Sequence, residues 1–171
     1  LGSHYVQHAA IQPQLGWEFL PVVSASVPVA VLVGLILFIN SFQDFNADRE
    51  VGKRTWVVRT ADTGTIADYS KPFAIYKGAL YFTFLYVFIL GISGIVYSQF
   101  STPWILIALL PFLLAKKAMN MGGTWLERWA EENADRQQLP YELLMVNVYT
   151  IGTHFMVGIL LTLGYILGTI Y

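Results

Sequence analysis

Residues 20–59 read LPVVSASVPVAVLVGLILFINSFQDFNADREVGKRTWVVR, and the change of character within them decides the fold. From Leu20 to Gln43 there is no charged residue. A run of about 20 apolar residues is what a helix needs to cross the hydrocarbon core of a bilayer. The charges then arrive together. Asn40, Asp44 and Asp48 follow at intervals of four, the spacing that stacks side chains on one helical face. Two carboxylates and an amide therefore point the same way where an apolar span meets a charged loop. Oxygen ligands of this kind suit a hard divalent cation, and magnesium uses one or two protein carboxylates while phosphate and water complete its shell. Lys53, Arg54 and Arg59, just beyond, supply the positive charge that a phosphate partner requires.

Working outward, the rest of the chain repeats the pattern. Of 171 residues 56% are hydrophobic and 12% charged, which departs from the balance of a soluble domain. Three further apolar runs are present: Gly78 to Tyr97, Trp104 to Ala115 followed by the snorkelling pair Lys116 and Lys117, and Leu143 to Tyr171. Pro111 predicts a kink in the third. Lys71-Pro72 and Pro140 mark helix starts, and Thr60 to Tyr69 is the expected loop. The expected fold is thus all-α, a multi-pass transmembrane bundle of four spans preceded by the end of another helix, Tyr5 to Ile11.

Charge placement tests this reading independently. The stretch Asp44 to Lys77 holds six basic residues and Lys116 to Glu142 the other four, so all ten lie in two loops. Cytoplasmic loops collect Lys and Arg, so both loops are expected in the cytoplasm and the Asp stripe with them, the membrane being the plasma membrane if the source is prokaryotic. A net charge of −1 gives no basic surface for nucleic acid. With no cysteine there are no disulfides, thiolate metal sites or cysteine nucleophiles. The first residues form neither a basic signal-peptide region nor a full span, and a truncated beginning is expected rather than an expression scar.

The segment Asn40 to Arg59 resembles the second aspartate-rich motif of the UbiA superfamily of intramembrane prenyltransferases, an Asp-x-x-x-Asp helix end followed by Gly-Lys-Arg-Thr-x-x-x-Arg, here Asp44, Asp48, Gly52-Lys53-Arg54-Thr55 and Arg59. Residues 1–7 resemble the end of the family's fifth helix and Ser26 to Asn40 its sixth; the three later runs follow as helices seven to nine. Gly52 to Thr55 with Val58-Arg59 look most like the menaquinone branch, the dihydroxynaphthoate polyprenyltransferases. The resemblance implies that residues 1–171 are the C-terminal part of one nine-helix domain, whose first aspartate-rich motif lies outside this sequence, in a longer chain or a separate N-terminal half.

It also implies the chemistry: Mg2+-dependent transfer of a polyprenyl group from polyprenyl diphosphate to an aromatic acceptor, with 1,4-dihydroxy-2-naphthoate favoured. Asp44 and Asp48 would be the metal-holding, catalytic carboxylates, and Asn40, Lys53, Arg54 and Arg59 the diphosphate-binding residues. Aromatic rings stabilise an allylic cation, and Tyr76, Tyr81, Tyr86, Tyr141 and Tyr149 are candidates. Alternatives are another UbiA-type acceptor (4-hydroxybenzoate, homogentisate, a tetrapyrrole or lipid glycerol), a non-catalytic membrane subunit with a degenerate half-site, or a cation-transport segment, though the acids sit at a span's edge rather than deep in it. A lone Asp-x-x-x-Asp is usually only a solvated helix end, and loop Lys and Arg need no ligand to satisfy topology. His154 reads as a helix-to-helix hydrogen-bonding residue. His4 and His8, without a third ligand, make no zinc site. Trp125 and Trp129, four apart within Met119 to Gln138, read as indoles resting at the membrane interface, with a cap over the site as the sharper alternative.

Overall fold

A computed structural model describes residues 19–97 and 101–170. In chain order the helices are α1 (Leu20–Gln43), α2 (Phe45–Glu50), α3 (Trp56–Ala61), α4 (Ser70–Val96), a 3-10 helix (Pro103–Leu109), α5 (Phe112–Ala130) and α6 (Leu139–Ile170). The helix end expected at Tyr5 to Ile11, and His4 and His8, lie outside the described residues. Four stretches are long and apolar enough to cross a membrane: Leu20–Gln43, Ser70–Val96, Pro103–Ala130 and Leu139–Ile170. The protein is an integral, multi-pass, all-α membrane bundle.

Its surface is built the way lipid demands. Leu37, Leu85, Ile95, Leu113 and Phe155 are each more than half exposed, while polar side chains turn inward. Tyr76 and Thr150 share a buried hydrogen bond of 2.6 Å between α4 and α6, and Thr83 and Thr153 are fully buried, returning their hydroxyls to carbonyls four residues back. Lipid offers no hydrogen bonds, so a polar group in a span finds its partner on its own or a neighbouring helix.

The bundle closes in a ring, α1 beside α4, α4 beside the 3-10 helix and α5, those beside α6, and α6 back against α1. The third span is broken as Pro111 predicts: a 3-10 stretch runs to Leu109, and a new helix starts after Pro111. The 3-10 stretch nests between its neighbours because glycines admit its backbone. A Cβ at Gly94 would lie 2.6 Å from the backbone of Thr102, and one at Gly164 2.7 Å from that of Ile105. The second and fourth spans begin earlier than the apolar runs, at Ser70 and Leu139. Each carries a proline in its first turn, where the missing N–H is not needed, and Asp68 accepts the N–H of Ser70 at 2.9 Å.

At the end of the bundle that carries the basic loops, rings fill the core. Tyr69 stacks on Phe42 at 5.3 Å and meets Phe45, Trp125 and Trp129 edge-on at 5.5, 5.2 and 4.9 Å. Such pairs add about 0.5–1.5 kcal/mol each beyond burial. The placement of Trp125 and Trp129 corrects the sequence expectation. Their indoles do not rest at the interface; they are buried, and their N–H groups donate to Leu139 O at 2.7 Å and Ala67 O at 2.8 Å. The helix carrying them continues the third span to Ala130, so only residues 131–138 form the connection.

Candidate functional site

The Asp-bearing turn grows out of α1 without losing its hydrogen-bond ladder. Asp44 N–H donates to Asn40 O at 3.1 Å and Asp48 N–H to Asp44 O at 2.8 Å. Asp44 itself relaxes to φ −84°, ψ 0°, which separates α1 from the short α2. The chain then reverses at Gly52, whose φ of +72° places it in the left-handed region. Gly52 N–H reaches Arg49 O at 3.1 Å and Lys53 N–H reaches Asp48 O at 2.8 Å. This pair of bonds is a Schellman closure, for which glycine is the residue of choice. Thr55 then caps α3, accepting the N–H of Val58 at 3.3 Å. Gly52 and Thr55 of the Gly-Lys-Arg-Thr run are therefore structural, and they fix where Lys53 and Arg54 project.

The closure folds Lys53 back over the helix it follows. Its Nζ donates to Oδ1 of Asp48 at 2.9 Å. That hydrogen bond, and then the charge of Asp48, hold the Lys53 ammonium above its usual pKa, with the charge of Asp44 adding to them against a small desolvation cost. Asp44 and Asp48 thus act on one cation. They differ in setting: Asp44 is exposed and Asp48 is buried. Asp48 Oδ2 is a buried oxygen with no hydrogen-bond partner among the described residues.

Asn40 faces a different neighbour. Its Oδ1 accepts the side-chain amide of Asn147 on α6 at 2.5 Å, and Asn147 Oδ1 is buried with no hydrogen-bond partner among the described residues. Asn40, expected among the diphosphate-binding residues, thus has its side-chain oxygen engaged in an interhelical bond. Asn147 was not legible as part of this region; its signal is a lone amide in the apolar run that begins at Leu143.

The remaining cations are less committed. Arg54 is exposed in the extended link before α3, and Arg59 is exposed in the last turn of α3; neither side chain makes a hydrogen bond or ion pair among the described residues. Arg49 instead pins the following loop, pairing with Asp62 at 3.2 Å and donating to Gly64 O at 3.4 Å. Of the six residues predicted for the site, Asp44, Asp48 and Lys53 are brought together, Asn40 is tied to α6, and Arg54 and Arg59 are free to turn toward an anion.

Among the tyrosines proposed to face a cation, Tyr76 is spent on Thr150, Tyr141 is 78% exposed, and Tyr149 lies 4.7 Å below the Lys117 ammonium. His154 lies beside Val29 and Phe155 in an apolar groove between α1 and α6.

The donor set fits a hard cation. No three His, Cys, Asp or Glu side chains converge among the described residues. Two carboxylates suffice for magnesium when phosphate and water supply the rest, and the orphaned Asp48 Oδ2 is an oxygen of the required kind. No protein-family model matches the chain, and neither a curated protein nor a solved structure does.

Proposed function

We propose that this chain is the C-terminal part of a UbiA-type intramembrane prenyltransferase, which transfers a polyprenyl group from polyprenyl diphosphate to an aromatic quinone precursor, with 1,4-dihydroxy-2-naphthoate as the favoured acceptor. The observation that carries the reading is Asp48: a buried carboxylate with one oxygen held by Lys53 and the other without a hydrogen-bond partner among the described residues, just beyond the end of an apolar span. A buried charged oxygen is costly unless something binds it.

In this reading Asp44 and Asp48 hold Mg2+, which supplies Lewis acidity toward the diphosphate. Lys53 and Arg54, with Arg59 behind them, donate charge-assisted hydrogen bonds to the diphosphate oxygens and stabilise the charge that grows there as the allylic C–O bond breaks. The bonding electron pair leaves with pyrophosphate. The allylic carbon then bonds to a ring carbon of the acceptor, which gives up its proton. The apolar bundle keeps water from the cation in the interval. A second Asp-x-x-x-Asp helix end, which these 171 residues do not contain, would come from an N-terminal half. The concentration of Lys and Arg in the stretches Asp44 to Lys77 and Lys116 to Glu142, at one end of the bundle, supports a cytoplasmic site.

A second reading is favoured by the ion pair itself: a membrane subunit in which Lys53 and Asp48 do no more than close a turn. Transfer assays separate the two. With the N-terminal half supplied, Mg2+, farnesyl diphosphate and 1,4-dihydroxy-2-naphthoate as probes, Asp44→Asn and Asp48→Asn should each abolish transfer while the protein persists in the membrane. Transfer at the wild-type rate in both would overturn the enzyme reading.

A further inference from the structure

A second polar cleft lies away from the Asp turn, between α4 and α5. It has a volume of about 660 Å3, and its walls include Lys77 and Tyr81 from α4 and Phe112, Lys116, Asn120 and Glu127 from α5. None of the residues assigned to the diphosphate site lines it. We propose that this cleft binds the phosphodiester of an anionic membrane phospholipid, with the acyl chains descending past Tyr81 and Phe112.

The argument begins with depth. Lys77 is the last charged residue before the apolar stretch from Gly78 to Val96, and Lys116 is the first after the stretch that ends at Ala115. Nineteen helical residues, 78–96, span about 28 Å, close to the thickness of a hydrocarbon core. On two antiparallel neighbours the two lysines therefore mark the same edge of the membrane. The cleft straddles that edge. Its apolar floor is the Tyr81–Phe112 ring pair, centroids 6.3 Å apart, with Tyr81 55% exposed beside it. Its upper part carries two ammonium groups, an amide and one carboxylate.

Chemistry then selects the ligand. Lys77 Nζ sits 5.1 Å above the ring of Phe73, a contact that leaves its N–H donors available. The side chains of Lys116, Asn120 and Glu127, on α5, make no hydrogen bond or ion pair among the described residues. Two cations and an amide above an apolar floor match a phosphodiester at the headgroup level, and basic pockets between spans bind such headgroups. Glu127 stands three turns beyond Lys116, about 16 Å nearer the solvent. At that rim its carboxylate accepts hydrogen bonds from a hydroxyl-bearing headgroup such as phosphoglycerol.

The test uses the full chain, purified in detergent, equilibrated with mixed micelles of dioleoyl phosphatidylglycerol and dioleoyl phosphatidylcholine, and native mass spectrometry of the retained lipid. Preferential retention of phosphatidylglycerol is expected, falling about fivefold for each of Lys77→Gln and Lys116→Gln. Lys117→Gln removes the same charge from the next residue, which faces Tyr149, and should leave retention unchanged. Gly123→Leu fills the cleft without altering charge, since a Cβ at Gly123 meets nothing within 4 Å, and should abolish retention in a chain that still elutes as a folded bundle. Equal loss in Lys117→Gln, full retention in Gly123→Leu, or displacement of the lipid by inorganic phosphate would each overturn the proposal.

Discussion

Lys53 Nζ lies 2.9 Å from Asp48 Oδ1, five residues back, because the left-handed Gly52 between them turns the chain over the end of α2. The contact joins an exposed ammonium to a buried carboxylate. Its pH dependence has a definite sign. The folded-state pKa of Lys53 is raised above 10.5, so its contribution is fully present below 10.5 and is lost as pH rises through the higher folded value. The buried Tyr69 hydroxyl, also pushed upward by desolvation, works in the same direction. The Lys53 share is therefore the difference in thermal stability between wild type and Lys53→Met in detergent. That difference should stay constant from neutral pH to about 10 and close above 10.5. A difference that grows with pH would exclude the pair.

Gly52 and Gly34 should respond to alanine with opposite signs. At Gly52, with φ +72°, a Cβ costs about 1–2 kcal/mol, and Asn should cost less than Ala. Gly34 is an ordinary helical residue with nothing within 4 Å of a built Cβ, so Gly34→Ala should stabilise by up to about 1 kcal/mol. Denaturant or thermal unfolding of the two variants in the same detergent reads both. A neutral Gly52→Ala would mean that the closure does not hold in the membrane protein.

The Asn40–Asn147 bond ties α1 to α6. A double-mutant cycle of Asn40→Ala and Asn147→Ala should give a coupling of about 0.6 kcal/mol, within the range up to about 1.7 found for bonds between spans. Additive single effects would show that the two amides do not meet.

Trp129→Phe keeps a ring against Tyr69 but deletes the donor to Ala67 O. A loss of about 1 kcal/mol is expected. Brominated lipids should quench Trp125 and Trp129 weakly in variants retaining only those indoles. Strong quenching would return both indoles to the interface.

Much of this was legible before any coordinates. The uncharged run from Leu20 to Gln43, and the confinement of every Lys and Arg to the stretches Asp44 to Lys77 and Lys116 to Glu142, announce spans because hydrocarbon admits neither charge nor unpaired backbone. Pro111 announces the break in the third span for an equally local reason. The tryptophans misled for the converse reason. An indole four residues from another among acids looks interfacial from its neighbours in sequence, yet Trp129 is buried because Ala67, 62 residues away, offers a carbonyl.

What the sequence determined by itself was therefore whatever depends on neighbours along the chain: the four apolar spans, the i, i+4 stacking of Asn40, Asp44 and Asp48, and the glycine at the turn. Tertiary structure alone decided which polar atoms are spent and which remain. It bonded Asn40 to Asn147 across 107 residues, left Asp48 Oδ2 buried without a partner among the described residues, and brought Lys77 and Lys116 to one cleft from separate spans. Helical periodicity fixes direction around one axis, whereas satisfaction of a buried polar group depends on a second helix whose distance and rotation are set by packing.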